Sequence, residues 1–211
     1  LKTNIIIVTS TPNAHIDNLA KKYDLPVYVN TGEKGIAGDW NFALRSAKTP
    51  LVTIAHQDDT YEPGYAEEIL SSINRAKDPL IAFSHYAELR NREKVYQNKL
   101  LQIKKLLLIP IRLSQNSIFL RRRSLSLGNS ICCPAVTFVK DKVPDFDSAF
   151  SNNLDWNQWE RLSKSKGSFV YVAKALMCHR IHEASTTSEM IENKTRGQED
   201  LVIFRRFWPE C

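Results

Sequence analysis

Two adjacent carboxylates, Asp58 and Asp59, directly follow a short apolar run and are the first residues here whose types indicate chemistry. Residues 51–55 form a strand-like run, and in an open α/β sheet ligands bind just beyond the carboxyl ends of such strands. Neighbouring carboxylates repel each other unless a cation lies between them and another negative group, which favours a metal ion that bridges to a phosphate. The alternative is a solvated loop that starts the next helix near Glu62 and Pro63.

Asp155 is a second carboxylate whose position favours chemistry. It opens a predicted helix in which Trp159 and Leu162 follow at i+4 and i+7, so its carboxylate lies over an apolar face. A desolvated carboxylate has a raised pKa and is therefore a better base. The alternative role is that of a helix N-terminal cap or a partner of the helix dipole.

His179 and His182 form the third group, on an extended stretch. Strand alternation puts them on opposite faces, so we expect one of them to reach a common site. A histidine that is hydrogen-bonded within the core is the alternative. The motifs of serine hydrolases, P-loop enzymes, dinucleotide-binding enzymes and zinc proteases (GxSxG, Walker A, GxGxxG and HExxH) do not occur.

Alternating strands and helices are expected to position these groups. Continuous β-branched runs are typical of strands covered on both faces, and apolar residues at i, i+3, i+4 and i+7 predict amphipathic helices between them. The alternation predicts an α/β fold with a mainly parallel, twisted sheet flanked by helices and joined by right-handed crossovers. The predicted strands are residues 4–9, 26–29, 51–55, 80–83, 135–139, 168–172 and 175–182, and the main predicted helices are residues 16–23, 36–47, 66–76 and those from about Leu154.

Residues 99–123 interrupt this alternation with a basic, leucine-rich segment. They include seven Lys or Arg residues and no Asp or Glu, and Pro110 divides them. This composition favours peripheral contact with an anionic membrane surface. The alternative is a helical hairpin that packs on the sheet and leaves its lysines in water.

Composition limits the class of protein. The 211 residues suit one domain, and 43% hydrophobic with 25% charged residues is ordinary globular composition. No apolar run reaches the roughly 20 residues of a membrane-spanning helix and no signal-peptide pattern occurs, so we expect a cytoplasmic protein, with the inner face of the membrane as a possible site. The four cysteines are expected to be reduced, and Cys132 and Cys133 to be packing residues. A net charge of +6 favours an anionic partner such as a nucleotide, a phospholipid surface or a nucleic acid.

Several short motifs, taken together, resemble family 2 glycosyltransferases, which have the A-type nucleotide-sugar fold, a Rossmann-like arrangement. The resemblance covers nearly the whole chain, from Asn4 to Trp208. The motifs are Asn30 and Gly35 followed by residues 40–48, then residues 54–59 (IAHQDD) with Glu62 and Pro63, Gly128 with Asn129, residues 154–156 (LDW) and residues 180–187 (RIHEASTT).

The resemblance implies an inverting transfer of a sugar from a nucleotide-diphosphate donor to a hydroxyl of a glycan or lipid-linked acceptor, in cell-surface polysaccharide synthesis. Asp155 matches the catalytic base. Asp58 and His182 match residues near a divalent cation, Mn²⁺ or Mg²⁺, while His56 replaces the first aspartate of the usual DxD element. No nucleic acid partner is expected. The residues implied in nucleotide-sugar binding are Thr9, Ser10, Gly35, Trp40, Asn41, Gln57 and Asp58, and Trp156 and Trp159 are assigned either to the acceptor site or to the core.

This chain departs from the resembled family at its start. The family has a strand, a turn and a helix before the strand that residues 4–9 resemble, and that strand lies in the sheet beside the one that ends before Asp58. The resemblance therefore predicts a gap, with either a trimmed amino end or another segment that fills it. Within a single domain, we expect a nucleotide-sugar-binding half at 1–86, a basic insertion or lid at 87–127, and an acceptor and catalytic-base half at 128–211.

Two other functions remain open at this point. One is a sugar-phosphate nucleotidyltransferase, which shares the α/β layout but needs a glycine-rich loop near its first strand. The other is a non-catalytic basic module that binds membrane or nucleic acid, for which binding would fall steeply with salt.

Overall fold

Strands and helices alternate through the first half of the protein in the computed structural model, which describes residues 3–181 and 195–208. The strands are β1 (Ile7–Thr9), β2 (Val27–Val29), β3 (Leu51–Thr53), β4 (Thr60–Tyr61), β5 (Pro79–Arg90), β6 (Glu93–Val95), β7 (Val136–Val139) and β8 (Ser168–Arg180). The helices are α1 (Ala14–Tyr23), α2 (Ile36–Ser46), α3 (Tyr65–Arg75), α4 (Lys99–Leu107), α5 (Ile109–Leu113), α6 (Ile118–Leu125), α7 (Leu154–Leu162) and α8 (Thr195–Phe207).

Local sequence explains where several helices begin. The side chain of Asn13 accepts the N–H of Ile16 at 3.0 Å and starts α1, and Asn98 starts α4 in the same way with the N–H of Leu101 at 2.9 Å. Both side chains satisfy a backbone donor that the first turn leaves unpaired. α3 instead follows Gly64, whose φ of 91° is a conformation that glycine adopts without strain.

The α/β class with flanking helices is confirmed, but the sheet is mixed. The larger sheet has the order β3-β7-β5-β8-β4, and β6 pairs with β5. Only β5 and β8 run parallel in it, whereas the pairings of β3 with β7, β7 with β5, β4 with β8 and β5 with β6 are antiparallel. The prediction of a mainly parallel sheet is corrected here, because periodicity reveals the faces of a strand but not the direction in which the chain enters the sheet.

β1 and β2 form a second, two-stranded parallel sheet. Among the described residues, β1 pairs with β2 alone and β3 pairs with β7 alone. The other edge of β3 is where the family resemblance predicts a further strand, and no strand of the described ranges pairs there.

The core lies on both faces of the larger sheet. Phe138 of β7 stacks on Trp159 of α7 with ring centroids 5.8 Å apart, on the same side as Phe83. On the other side, Ile69 of α3 packs with Val170 of β8. The sheet is thus covered by α7 on one face and by α3 on the other. The loops at the ends of its strands remain available to form a site.

The basic segment 99–123 folds into α4, α5 and α6. Leu101, Leu108, Ile111 and Leu125 are buried, so these helices pack on the body of the protein as the packing alternative predicted, although as three helices instead of a hairpin. Arg121 is fully buried and donates hydrogen bonds to the carbonyls of Ser163, Ser165 and Gly167. In the described residues, no helix combines the length and apolar character that crossing a bilayer requires.

Candidate active site

The loop after β3 carries the carboxylate pair, and Asp59 is its most enclosed member. The Asp59 side chain has no exposed surface. Its Oδ1 accepts the backbone N–H of Arg180 at 2.9 Å and lies 2.9 Å from Nδ1 of His179, both on β8. The Nε of Arg180 also donates to the backbone oxygen of Asp58 at 2.8 Å. The end of β8 therefore fixes the position of the loop that carries both carboxylates.

His56 lies against this pair. Its ring stacks on Trp40 of α2 with centroids 5.2 Å apart, and its Nδ1 is 3.9 Å from Oδ2 of Asp59. Burial lowers the pKa of His56, and the charge of Asp59 opposes this shift only in part. A neutral imidazole is the form that coordinates metal ions.

His56, Asp58 and Asp59 can together hold a metal ion. Each offers one ligand atom, and these atoms lie within 4.8 Å of one another. Two buried atoms of this set, Nε2 of His56 and Oδ2 of Asp59, have no hydrogen-bond partner among the described residues. Buried polar atoms without partners are costly, so a cation fits this donor set. Carboxylate oxygens and a neutral imidazole are both ordinary protein ligands of divalent cations.

Asp155 lies in the first turn of α7 and is half-buried. Its Oδ2 accepts the side-chain amide of Asn129 at 2.7 Å, and its Oδ1 accepts the N–H of Trp156 at 2.8 Å. Burial raises the pKa of Asp155 above the ordinary range, against the opposing effects of these two hydrogen bonds. Asn153 is the N-cap of α7, whereas Asp155 lies in the first turn, where its carboxylate accepts one helix N–H and the helix dipole favours a negative charge. Burial also shifts its pKa in the direction that makes a stronger base.

The metal-ligand cluster and Asp155 face the same region. The charges of Asp58, Asp59 and Asp155 all act on His56, and those of Asp59 and Asp155 both act on Cys132. The end of β3 and the start of α7 therefore lie close enough for their charges to interact. Asp58 and Asp155 lie about a hundred residues apart in sequence, and the fold brings the two carboxylates into the same region.

Lys104 of α4 contributes a positive charge to this region. Its Nζ donates to the hydroxyl of Tyr86 at 2.9 Å and lies 5.2 Å from the centre of that ring. Its charge stabilises the ionised form of Asp155. The basic segment therefore reaches the site with one of its lysines.

The predicted nucleotide-binding residues lie in different surroundings. Ser10 follows β1, and its hydroxyl donates to Asp39 at 2.9 Å, next to Thr9. Gly35 precedes α2 with a φ of 94°. Gln57 is exposed in the loop that carries Asp58, whereas Asn41 is buried with its amide bonded to the backbone of Phe146. Asn41 thus orders the loop around Phe146.

The two tryptophans of α7 lie in the core. Trp159 is fully buried, and Trp156 is almost so. The indole N–H of Trp156 donates to Leu125 at 3.0 Å and that of Trp159 to Ile131 at 3.3 Å. Both indoles are therefore packed in the core and hydrogen-bonded to backbone carbonyls. His182, predicted as a metal ligand, lies outside the described residues.

The sequence left the roles of several side chains of this site open. Asp59 was paired with Asp58 at a predicted cation, but the family resemblance gave a metal role to Asp58 alone. His56 stood as the replacement of the first DxD aspartate, and His179 was one of two candidate histidines. Asn129 stood within a recognised motif without a role. Their closeness in sequence to Asp58 is a signal that could have assigned His56 and Asp59 to the metal site. The contact of Asp59 with His179 of β8 joins residues that are 120 positions apart in sequence, so no local pattern reveals it.

A comparison with models of protein families identifies the family of this chain. The model of the family described as Glycosyl transferase family 2 matches residues 1–143, which is 143 of the 211 residues. The matched segment contains His56, Asp58, Asp59 and Asn129, and Asp155 follows it. A search of curated proteins found no match.

Proposed function

Since this chain belongs to glycosyl transferase family 2, we propose that it is a metal-dependent enzyme that transfers a sugar with inversion. The family implies a nucleotide-sugar donor and an acceptor substrate. We propose a hydroxyl of a glycan or of a lipid-linked molecule as the acceptor, and synthesis of a cell-surface polysaccharide at the cytoplasmic face of the membrane as the setting.

One observation carries this proposal: a carboxylate with a raised pKa lies within electrostatic range of a His-Asp-Asp cluster. A transfer that inverts the configuration at the anomeric carbon needs two separate functions. One stabilises the leaving diphosphate, and the other removes a proton from the acceptor hydroxyl. The cluster and Asp155 are suited to one function each.

His56, Asp58 and Asp59 would hold the divalent cation, and His182 remains a predicted further ligand. The bound cation supplies positive charge that stabilises the departing diphosphate. His179 and Arg180 would position the metal ligands. Their contacts with Asp59 and with the backbone of Asp58 hold the loop that carries both aspartates. Supporting contacts of this kind are commonly needed to orient metal ligands.

Asp155 would act as the general base. As the acceptor oxygen bonds to the anomeric carbon, the bond from that carbon to the diphosphate oxygen breaks on the opposite face, and the hydroxyl proton passes to a carboxylate oxygen of Asp155. Asn129 holds that carboxylate in one orientation. The positive charge of Lys104 favours the ionised carboxylate and so opposes part of the rise that burial causes in the pKa of Asp155.

The donor nucleotide would lie between the end of β1 and the start of α2. Thr9, Ser10 and Gly35 are positioned there, and a carboxylate, Asp39, is held by Ser10 and by the side-chain amide of Asn30 at 2.8 Å. A carboxylate next to a strand end can accept hydrogen bonds from a ribose. Trp40 would support the site indirectly through its stacking on His56.

A thermal-shift panel of nucleoside diphosphates, each with and without Mn²⁺, tests the site before any acceptor is known. We expect one diphosphate to raise the melting temperature only when Mn²⁺ is present, since a ligand that binds the native state stabilises it. Donor-sugar turnover is then measured on the best nucleotide. Asp58→Asn should abolish the Mn²⁺-dependent shift, whereas Asp141→Asn, a change of an exposed carboxylate, should leave it intact. A shift that survives in Asp58→Asn would contradict the assigned metal site.

A further inference from the structure

We propose that the groove between α4, α5 and β8 binds the phosphate of an anionic phospholipid and holds this face of the enzyme on a membrane. The inference concerns lipid binding and goes beyond the transfer reaction. It does not depend on the identity of the donor, the metal or the base.

The groove combines positive charge with an apolar wall. Its volume is about 490 Å³. Lys105 of α4 and Arg112 of α5 contribute the charge, while Leu106, Ile109 and Ala173 contribute apolar surface. A phosphate that carries hydrocarbon chains matches both features, because its charge pairs with the two cations and its chains contact the apolar wall.

Tyr171 supplies a hydrogen-bond donor at this groove. The residue lines the groove and is only 7% exposed, and its ring stacks on that of Phe83 with centroids 5.1 Å apart. Its hydroxyl is buried and has no hydrogen-bond partner in the described part of the chain. Burial raises the pKa of Tyr171 to about 12, so the hydroxyl stays protonated at neutral pH. A buried donor without a partner is unusual in a native protein and indicates a missing acceptor.

The cations of the groove have no acidic partner among residues 3–181 and 195–208. Neither Lys105 nor Arg112 forms an ion pair within the described residues, in contrast to Lys94, Lys142 and Lys174, which pair with Glu62, Asp78 and Glu68. The sequence contains no Asp or Glu from residue 94 to residue 140. An uncompensated positive surface of this kind attracts anionic lipid.

Exposed apolar side chains surround the groove. On α4, Leu100, Ile103 and Leu106 follow at intervals of three residues and so lie within about 120° of the helix circumference. Leu106 is 64% exposed, and Leu113, just beyond Arg112, is 77% exposed. A basic helix with leucines on its outer side is suited to lie in the plane of a bilayer surface.

The proposed membrane face adjoins the candidate active site. Lys105 lines the groove, whereas its neighbour Lys104 bonds Tyr86 and acts on Asp155. One short helix therefore contacts both places. An acceptor carried by a lipid would reach Asp155 from the surface on which the enzyme sits.

Vesicle flotation tests the proposal with the whole chain, using phosphatidylcholine alone or mixed with phosphatidylglycerol. We expect binding to the anionic vesicles only, weakening as salt is raised. Lys105→Gln combined with Arg112→Gln should weaken binding about thirtyfold, at the usual contribution of a basic residue near a membrane. The matched control is Lys21→Gln with Lys22→Gln on α1, which makes the same change in net charge at exposed positions.

Two further variants separate the groove from general electrostatic attraction. Tyr171→Phe removes the unpaired hydroxyl without changing charge, and Leu113→Ser removes an exposed apolar side chain; each should weaken vesicle binding while the melting temperature stays within a few degrees. Equal loss in the α1 control, or no binding by the unaltered chain, would overturn the proposal. A melting-temperature rise with inorganic phosphate, lost on changing Lys105 and Arg112 but without vesicle binding, would also overturn it and assign the groove to a soluble phosphate.

Discussion

Replacement of Asp155 by asparagine separates the proposed base from the rest of the site. The asparagine has nearly the same shape, and its amide oxygen can still accept a hydrogen bond from Asn129 or from the N–H of Trp156. It cannot accept a proton from the acceptor hydroxyl. The change therefore removes one chemical function while α7 and the metal ligands keep their positions.

The expected loss of activity follows from that function. General base catalysis commonly contributes 10² to 10⁴ in rate, so kcat should fall by about that factor, which corresponds to about 3 to 5 kcal/mol in the barrier. Stability should change little. One of two hydrogen bonds to the carboxylate is weakened, at a cost of about 1 kcal/mol, and the removal of a half-buried charge offsets this cost.

The pH dependence provides a second measure. Burial raises the pKa of Asp155 in the folded protein above the ordinary value of about 3.9 for an aspartate. Activity should therefore decline as pH falls through this raised pKa, because the carboxylate becomes protonated and can no longer act as a base. For stability the sign is opposite: the folded state binds this proton more tightly, and stability declines as pH rises from the unfolded to the folded pKa. Asp155→Asn should lack both the acidic decline of activity attributable to this group and its decline of stability.

The assay measures nucleotide release with donor and acceptor over a range of pH, together with thermal shifts by nucleotide and Mn²⁺. Asp155→Asn should retain the thermal shift and lose turnover, and Asp141→Asn should retain both. Turnover by Asp155→Asn within tenfold of the unaltered enzyme would refute the assignment of the base. Loss of the thermal shift as well would show that Asp155 supports nucleotide binding.

Four more substitutions test the metal-ligand cluster and the packing of the fold. Asp59→Asn should weaken Mn²⁺ binding about 10- to 100-fold, measured by titration of the Mn²⁺-dependent melting temperature, because the residue links the cluster to β8; unchanged affinity would exclude it as a ligand or support. Arg121→Met should lower the free energy of unfolding by about 3 to 5 kcal/mol in urea denaturation, since it removes three hydrogen bonds from a buried guanidinium to backbone carbonyls, one of which is buried. Gly167→Ala should lower the free energy of unfolding by about 2 to 4 kcal/mol in urea denaturation, because φ is 122° and an added Cβ would lie 2.6 Å from a carbonyl oxygen. Gly64→Ala has a similarly strained φ but open space around the Cβ, so it should lower that free energy by only about 1 kcal/mol. Equal losses of stability in the two variants would contradict the predicted clash at Gly167.

Local patterns in the sequence were sufficient for most elements. α1, α2 and α3 lie within about a residue or two of their predicted positions because their apolar spacing and caps are properties of neighbouring residues. Strand lengths were less accessible: β5 extends past the predicted end at residue 83 to Arg90, and β8 is one strand where two were expected. These extensions depend on hydrogen bonds between β5 and β8, which pair residues about 90 apart in sequence.

The sequence was sufficient to predict which carboxylates belong to the site. It was not sufficient to predict the contacts that hold these carboxylates in position. Asp58 and Asp155 stood in recognisable motifs at element ends, where ligands are expected. The burial of Asp59 by β8 and the bond from Asn129 to Asp155 arise from tertiary packing, which no periodicity encodes. Trp156 and Trp159 are buried, but their sequence left a core role and a binding role open, because a tryptophan on an amphipathic helix serves either equally well.

The separation of β1 and β2 from the larger sheet affects how firmly the nucleotide end is held. Two strands of three residues each have little independent stability in water, and Thr9 and Ser10 lie at or just after the end of one of them. Amide hydrogens in this ribbon should exchange with solvent through local opening, at a free energy below that of global unfolding. A nucleotide that contacts the ribbon would have to suppress this opening, so part of its binding energy would go into ordering the region that recognises it.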